Sequence, residues 1–278
     1  MPELPEVETI VRGLRAQVQG QRITRVVVHQ PRIIHGSRAA FRRLLPRARI
    51  ACIERYGKYI IFHLDLGAHS AASWCLLVHL GMTGQLHWCR PELPYLKHTH
   101  VTFWLANGAQ LRFRDQRRFG RLEVIPAKFL SRYFTRLGPE PLEIPFTAFA
   151  RLFAGRRAVI KSLLLNQSLL RGLGNIYSDE ALFRARIHPV TPAGSLDLAA
   201  LHRLYAAIRR VLRAAIAAAG TSFSNYITAQ GQPGEFQFRL RVYGREGQRC
   251  MRCGSRVKRT ALAGRSSYFC PRCQRRPW

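Results

Sequence analysis

The chain has 278 residues, enough for two ordinary domains, and 47% of them are hydrophobic, which excludes wholesale disorder. Lys and Arg number 45 against 15 Asp and Glu, a formal charge of +30, so the partner expected is a polyanion, with nucleic acid ahead of an anionic membrane surface. No run of 18 uncharged apolar residues is present, and the N-terminal MPELPEVETI carries acids where a secretion signal would carry bases.

In chain order, Val7, Ile10, Val11, Leu14 and Val18 recur at helical spacing, with Pro5 suited to a first turn and Gly20 to a stop. From residue 22 to 125 the pattern turns to strand-like runs: ITRVVVH, YIIFHL, WCLLVHL, VTFWL and LRFR. Asn107-Gly108, between the last two, predicts a hairpin closed by a type I′ turn. The first half is therefore mostly antiparallel β. LGPEPLEIP, rich in proline, predicts a break, after which Leu201, Leu204, Tyr205, Ile208, Val211, Leu212, Ala215 and Ile216 line one face of a helix ending near Gly220. SFSNYITAQGQPGEFQF has little periodicity and reads as a long mobile loop.

Near the C-terminus, Cys250, Cys253, Cys270 and Cys273 form a C-x2-C, sixteen residues, C-x2-C array, the spacing of a tetrahedral zinc site. Four thiolates saturate the metal, so one structural zinc is expected, stapling a basic hairpin. Cys52, Cys75 and Cys89 are expected to be inert thiols in or near the core. Arg171-Gly172-Leu173-Gly174-Asn175 precedes a helical run and offers backbone N–H groups to an anion. Asp115-Gln116-Arg117-Arg118-Phe119-Gly120 places two arginines and an aromatic at a hairpin end, where an aromatic can wedge between bases. Each of these segments, taken singly, also fits an ordinary turn or strand end.

Taken together, MPELPEVETIVRG, HLGMTG, DQRRFG, GLGNIYSDEALF, VYGREGQ and the four-cysteine finger resemble, in order and spacing, the bacterial formamidopyrimidine-DNA glycosylases, from Pro2 to Cys273. The resemblance implies an α+β protein: an N-terminal antiparallel β-sandwich with an N-terminal helix over residues 1–136, a linker over 137–149, a helix-two-turn-helix domain carrying a mobile lesion loop over 150–240, and a zinc-finger β-hairpin over 241–278. It implies a base-excision repair enzyme that removes oxidised purines such as 8-oxoguanine and formamidopyrimidines and then cuts the strand by β,δ-elimination. The substrate is double-stranded DNA containing oxidised bases or abasic sites, met by a monomer in the bacterial cytoplasm at the nucleoid.

By the same resemblance Pro2 is the nucleophile and Glu3 its acid/base partner. Lys58, grouped with them, matches the lysine that binds phosphate near the lesion. Asn175 at the helix N-terminus and Arg265 in the finger match groups on the same backbone region. Met82, Arg117 and Phe119 match the trio that fills the vacated base stack, and His79, Arg118 and Lys161 are further DNA-contact candidates. Glu6 and the loop from Ser222 to Phe238 match regions near the extruded base. Two residues depart from the family pattern: Gln116 stands where proline is usual, and Arg171 where a small or apolar residue is usual. The sister branch, endonuclease VIII, which prefers oxidised pyrimidines, and a catalytically silent DNA-binding protein are the competing readings; Leu4, Met82, Arg117 and Phe119 favour the purine branch over the first, and intact Pro2 and Glu3 argue against the second.

Overall fold

The computed structural model describes residues 2–67, 73–223 and 226–276. It comprises two compact units: one of residues up to Thr135 together with Ala218–Gln237, the other of Arg136–Ala217 and the chain from Phe238 onward.

The first unit opens with α1 (Leu4–Val18), whose Val7, Ile10, Val11, Leu14 and Val18 are at most 1% exposed. There follow β1 (Ile23–Val28), β2 (Ile34–His35), α2 (Arg38–Leu44), β3 (Arg49–Tyr56), β4 (Tyr59–Asp65), β5 (Trp74–His79), β6 (Gly84–Cys89), β7 (Thr99–Leu105), β8 (Gln110–Asp115), β9 (Arg121–Pro126) and α3 (Leu130–Tyr133). They form a four-stranded sheet ordered β1-β7-β8-β6 and a five-stranded sheet ordered β2-β9-β5-β4-β3. Pairing is antiparallel except for the short β2 edge, which runs parallel to β9. Alternate residues of both sheets, among them Ile53, Phe62, Val78, Leu86, Phe103 and Phe113, join the apolar face of α1 in one core. Each such side chain contributes roughly 1.5–3 kcal/mol on burial, so the stripe read along α1 is what fastens the N-terminus to the sandwich.

The β7–β8 hairpin forms where Asn107-Gly108 predicts it, but with a different turn. Only Gly108 has positive φ (82°); its N–H donates to Leu105 O, and the Leu105 N–H donates to Ala109 O. That is a three-residue loop ending in a left-handed glycine, with the Asn107 side chain accepting the Ala109 N–H at 3.1 Å.

The second unit contains α4 (Phe146–Arg151), α5 (Ile160–Leu165), α6 (Asn175–Ala185), α7 (Leu198–Ala217) and the hairpin β10 (Lys258–Leu262) and β11 (Arg265–Phe269). Two sequence expectations need correction. Residues 137–149 are not a linker, because the Gly138 N–H donates to Gln167 O, Arg171 holds Gly138 O and Glu140, and α4 begins within the stretch. A Cβ on Gly138 would lie 2.5 Å from the Leu169 carbonyl carbon, an approach only glycine permits. Nor does Ala218–Gln237 belong with the helices that precede it. Ala229 is buried in the sandwich core and accepts the Trp88 N–H at 3.0 Å, Gln230 Nε2 donates to Gly13 O, and Thr221 is bonded to Glu6. Ser224 and Asn225 of the expected mobile loop lie outside the described residues.

Candidate active site and nucleic-acid interface

At the head of α1, Pro2 is buried and Glu3 and Glu6 are each 2% exposed. Glu3 is the N-cap residue. Its backbone N–H donates to Glu6 Oε2 at 2.8 Å, and its own carboxylate receives the Glu6 N–H, a reciprocal capping box that fixes both acids. Glu6 Oε1 also accepts the Thr221 N–H at 2.8 Å, and the Tyr226 hydroxyl donates to Ala219 O at 3.0 Å. Burial, followed by the Glu6 charge, raises the Tyr226 phenol and keeps it protonated. The carboxyl partner assigned to Pro2 therefore sits in a pre-set, water-poor position.

Lys58 lies in the β3–β4 turn beside Gly57, whose φ of 58° allows the tight reversal. Arg55 ties that turn to α1: its Nε donates to Glu8 Oε2 at 2.9 Å and its Nη1 to Gly57 O at 3.2 Å. Burial alone would raise the Glu8 carboxyl, but bonds from Arg12 and Arg55 outweigh it and hold the group below its ordinary value. His79 stacks against Tyr59 at 4.8 Å, and its Nδ1 accepts the Gly81 N–H at 3.2 Å. Burial, aided by the charges of Lys58 and Arg121, pushes the imidazole down to about 4. At neutral pH His79 is uncharged, so as a DNA contact it offers a neutral Nε2–H rather than a cation.

The β5–β6 and β8–β9 turns pack backbone to backbone: a Cβ on Gly81 would lie 2.5 Å from the Phe119 carbonyl carbon. This sets Met82, 40% exposed, beside Phe119, 51% exposed, with the Arg117 guanidinium 4.6 Å from the Phe119 ring centre. Asp115, fully buried, organises the turn: its carboxylate accepts from Thr83 Oγ1, from Arg117 N at 3.3 Å and from Gly120 N at 2.7 Å. Arg118 is exposed with φ of 57°. The turn is thus held by a carboxylate, with Gln116 exposed within it. Exposed apolar side chains flanked by arginines suit insertion between bases.

In the second unit, extended Gly174 precedes Asn175, the first residue of α6. Asn175 Nδ2 donates to Ser266 O at 2.9 Å, which docks the helix start against β11 next to exposed Arg265. Lys161 is corrected from a DNA contact to an internal strut. It is fully buried, ion-paired at 2.5 Å to equally buried Asp179, and its Nζ also donates to Ser266 O. The other Asp179 oxygen accepts the Tyr268 N–H at 2.9 Å. Arg171 is likewise committed inward, to Glu140 and Gly138 O, so its charge is compensated within the unit.

The four finger sulfurs lie within 4.8 Å of one another, with Cys250 to Cys273 at 3.9 Å and Cys253 to Cys270 at 3.4 Å. Tetrahedral Zn–S bonds of about 2.3 Å require sulfurs roughly 3.8 Å apart, so the set fits one zinc. Backbone N–H groups of Arg252 and Cys273 point at Cys250 and Cys270 sulfur, as thiolates require. Of the remaining cysteines, Cys75 is buried against His63 with its thiol pushed up to about 11 by burial, whereas Cys52 is exposed rather than in the core. Sequence reasoning missed Asp115, Thr83, Asp179 and Thr221 as organising residues. Asp115 and Asp179 stand inside the DQRRFG and GLGNIYSDEALF motifs, but no local pattern gives their distant partners.

Three family signatures cover the chain: the formamidopyrimidine-DNA glycosylase N-terminal domain over residues 1–122, the helix-two-turn-helix domain of the same enzymes over 137–226, and the zinc finger found in these enzymes and in isoleucyl-tRNA synthetases over 247–276. The formamidopyrimidine-DNA glycosylase of Symbiobacterium thermophilum is 46% identical over 99% of this chain and 89% of its own length, and that of Heliobacterium modesticaldum 45% over 99% and 100%. Among solved structures, Lactococcus lactis Fpg in complex with abasic-site DNA superposes with a TM-score of 0.91 at 36% identity, and MutM in complex with carbocyclic 8-oxo-G DNA with 0.90 at 35%; each comparison covers 99% of this chain and 100% of the other. A buried N-terminal proline and glutamate on a β-sandwich, a helix-two-turn-helix unit and a four-cysteine finger define a DNA glycosylase of base-excision repair that also acts as an abasic-site lyase. The chain belongs to the formamidopyrimidine-DNA glycosylase family.

Proposed function

We propose that Pro2 is the nucleophile and Glu3 the proton carrier of a glycosylase/lyase acting on oxidised purines in duplex DNA. The observation that carries this reading is the burial of both residues at the capped head of α1. With Met1 attached, the Pro2 nitrogen is a tertiary amide and inert. Freed, it is an α-amine with an ordinary pKa near 8, against about 10.4 for lysine, so a useful fraction is neutral at pH 7.

The amine attacks C1′ and the bond to the damaged base breaks, the base leaving with the electron pair. Proton delivery from Glu3 to the ring oxygen opens the sugar and leaves an iminium ion. That ion acidifies the C2′ proton; its removal expels the 3′ phosphate, and a second elimination expels the 5′ phosphate. Lys58, Asn175 and Arg265 bind backbone phosphate. Because C1′ is inaccessible within the stack, the nucleotide must rotate out, and Met82, Arg117 and Phe119 occupy the space it leaves. Zinc bound by the four cysteines supplies structure to the hairpin that carries Arg265. A charge of +30 supports residence on nucleoid DNA.

Borohydride reduction in the presence of an 8-oxoguanine duplex, followed by N-terminal sequencing and peptide mapping, tests the reading. A covalent adduct at Pro2, lost in Pro2→Gly, is expected, as is loss of excision by Glu3→Gln with DNA binding retained. Full excision by Glu3→Gln protein, or trapping only on oxidised pyrimidines, would overturn it.

A further inference from the structure

The far end of α6 carries a concentration of positive charge that none of these roles uses. Phe183, Arg184, Arg241, Met251 and Arg252 line an open cavity of about 270 Å3. The Arg252 guanidinium lies 4.5 Å from the Phe183 ring centre and donates to Phe183 O, while Arg241 Nη1 meets Met251 Sδ at 2.9 Å. Arg184 Nε is buried without a hydrogen-bond partner among the described residues. Burial lowers the Arg184 guanidinium from its ordinary value; Glu180 opposes this, and the charges of Arg210, Arg241 and Arg252 add to it.

Among the described residues, none of these four arginines is ion-paired with a carboxylate. Glu180, the acid nearest in sequence, is fully buried and accepts the backbone N–H groups of Arg241, Val242 and Tyr243 at 2.9–3.1 Å. One carboxylate so engaged cannot neutralise the three guanidiniums of Arg184, Arg241 and Arg252 that line the cavity, to which exposed Arg210 adds a nearby charge, and like charges held together around a cavity call for an anion. Several planar forks converging on one space match the many acceptor oxygens of phosphate better than a single carboxylate. Phe183 and Met251 add an apolar wall suited to a sugar or base.

We infer that this cavity is a second phosphate-binding site, for a polyphosphate or phosphodiester group. It is separate from the phosphate position assigned to Asn175 and Arg265, since Asn175 and Arg184 stand about 14 Å apart along α6. Two sources share this chemistry: a further stretch of DNA backbone and a free polyphosphate or nucleotide.

The test uses the zinc-loaded full chain and inorganic tripolyphosphate, titrated calorimetrically at 0.15 M salt. Two variants probe the site: Arg184→Gln with Arg210→Gln, outside the finger, and Arg241→Gln with Arg252→Gln. Arg151→Gln with Arg203→Gln, exposed in the same unit, is the charge-matched control. At least tenfold weaker tripolyphosphate binding is expected in each cluster variant that keeps its zinc, and less than twofold in the control. If DNA is the source, the slope of duplex affinity against salt also falls, by about one for each phosphate no longer neutralised; if a free ligand is, that slope stays unchanged. Equal weakening in cluster and control variants, or none, would overturn the site. Pro2 trapping is untouched by these substitutions, so the outcome is independent of the catalytic assignment.

Discussion

Thr221 and Glu6 are 215 residues apart in sequence and joined by a 2.8 Å hydrogen bond from the Thr221 N–H to Glu6 Oε1. The second Glu6 oxygen caps α1 through the Glu3 N–H, so one carboxylate binds the head of α1 to the segment returning over the sandwich. A Cβ on Gly220 would lie 2.9 Å from Glu6 Oε1. Glu6→Ala should cost about 1.5–3 kcal/mol for each charged hydrogen bond removed, read by urea denaturation, and slow excision of 8-oxoguanine more than cleavage of a pre-formed abasic site. Equal slowing of both steps would remove the link between Glu6 and the damaged base.

Asp115 is fully buried and acts on the Arg117 turn through its hydrogen bonds to the Arg117 and Gly120 N–H groups. Asp115→Ala frees the Arg117 and Gly120 N–H groups and should lower kcat/KM on a lesion duplex at least tenfold. Borohydride trapping on single-stranded abasic DNA, which has no stack to fill, should stay within twofold of wild type. A parallel fall on both substrates would show damage at the Pro2 end of α1 instead.

The Lys161–Asp179 pair is fully buried, and removing one partner of such a pair strands a charge at a cost of about 3–5 kcal/mol. Lys161→Met should therefore destabilise the second unit strongly. Lys161→Met combined with Asp179→Leu should recover part of the loss. Thermal unfolding of the three proteins at equal zinc content measures this, and a double variant less stable than the single would exclude the assignment.

His87 bonds Gln85 Oε1 at 2.9 Å, and burial, with the Arg114 and Arg112 charges, pushes its pKa down to about 4. The unfolded chain binds that proton near 6.5. Stability from the neutral ring is therefore complete above pH 6.5 and lost as pH falls toward 4, by on the order of 3 kcal/mol. His87→Gln should flatten the stability profile in that window by comparison with wild type; superimposable slopes would refute the shift.

Zinc removal should unfold the small core of Cys250, Cys270, Val257, Val242 and Phe183. DNA affinity should fall at least tenfold, while Pro2 trapping persists at saturating abasic DNA. Unchanged affinity of verified zinc-free protein would separate the finger from DNA binding.

Much of this protein is legible in one dimension because its signals are local. The α1 stripe, the β7–β8 hairpin, the α7 face and the cysteine spacing each depend on residues within a few turns of one another. β3 (RIACIERY) was hidden because its register shift sets the buried Ile50 and Ile53 three residues apart, and β6 (GQLHWC) because Gly84, Gln85 and Leu86 are buried in succession, so neither shows a period of two. The zinc ligands could be named from their short spacing, whereas Pro2 and Glu3 were named as candidates only through the resemblance of the whole set of motifs.

Tertiary structure alone decided which charges face outward. Lys161 and Lys58 look alike as letters, yet Asp179 lies across the packed helices from one and none of the sequence signals predicts it. Likewise the turn read from Asn107-Gly108 changed type because strand register, not the dipeptide, sets loop length. The 218–237 segment joined the sandwich because Glu6 and Ala229 find partners there that no periodicity could reveal.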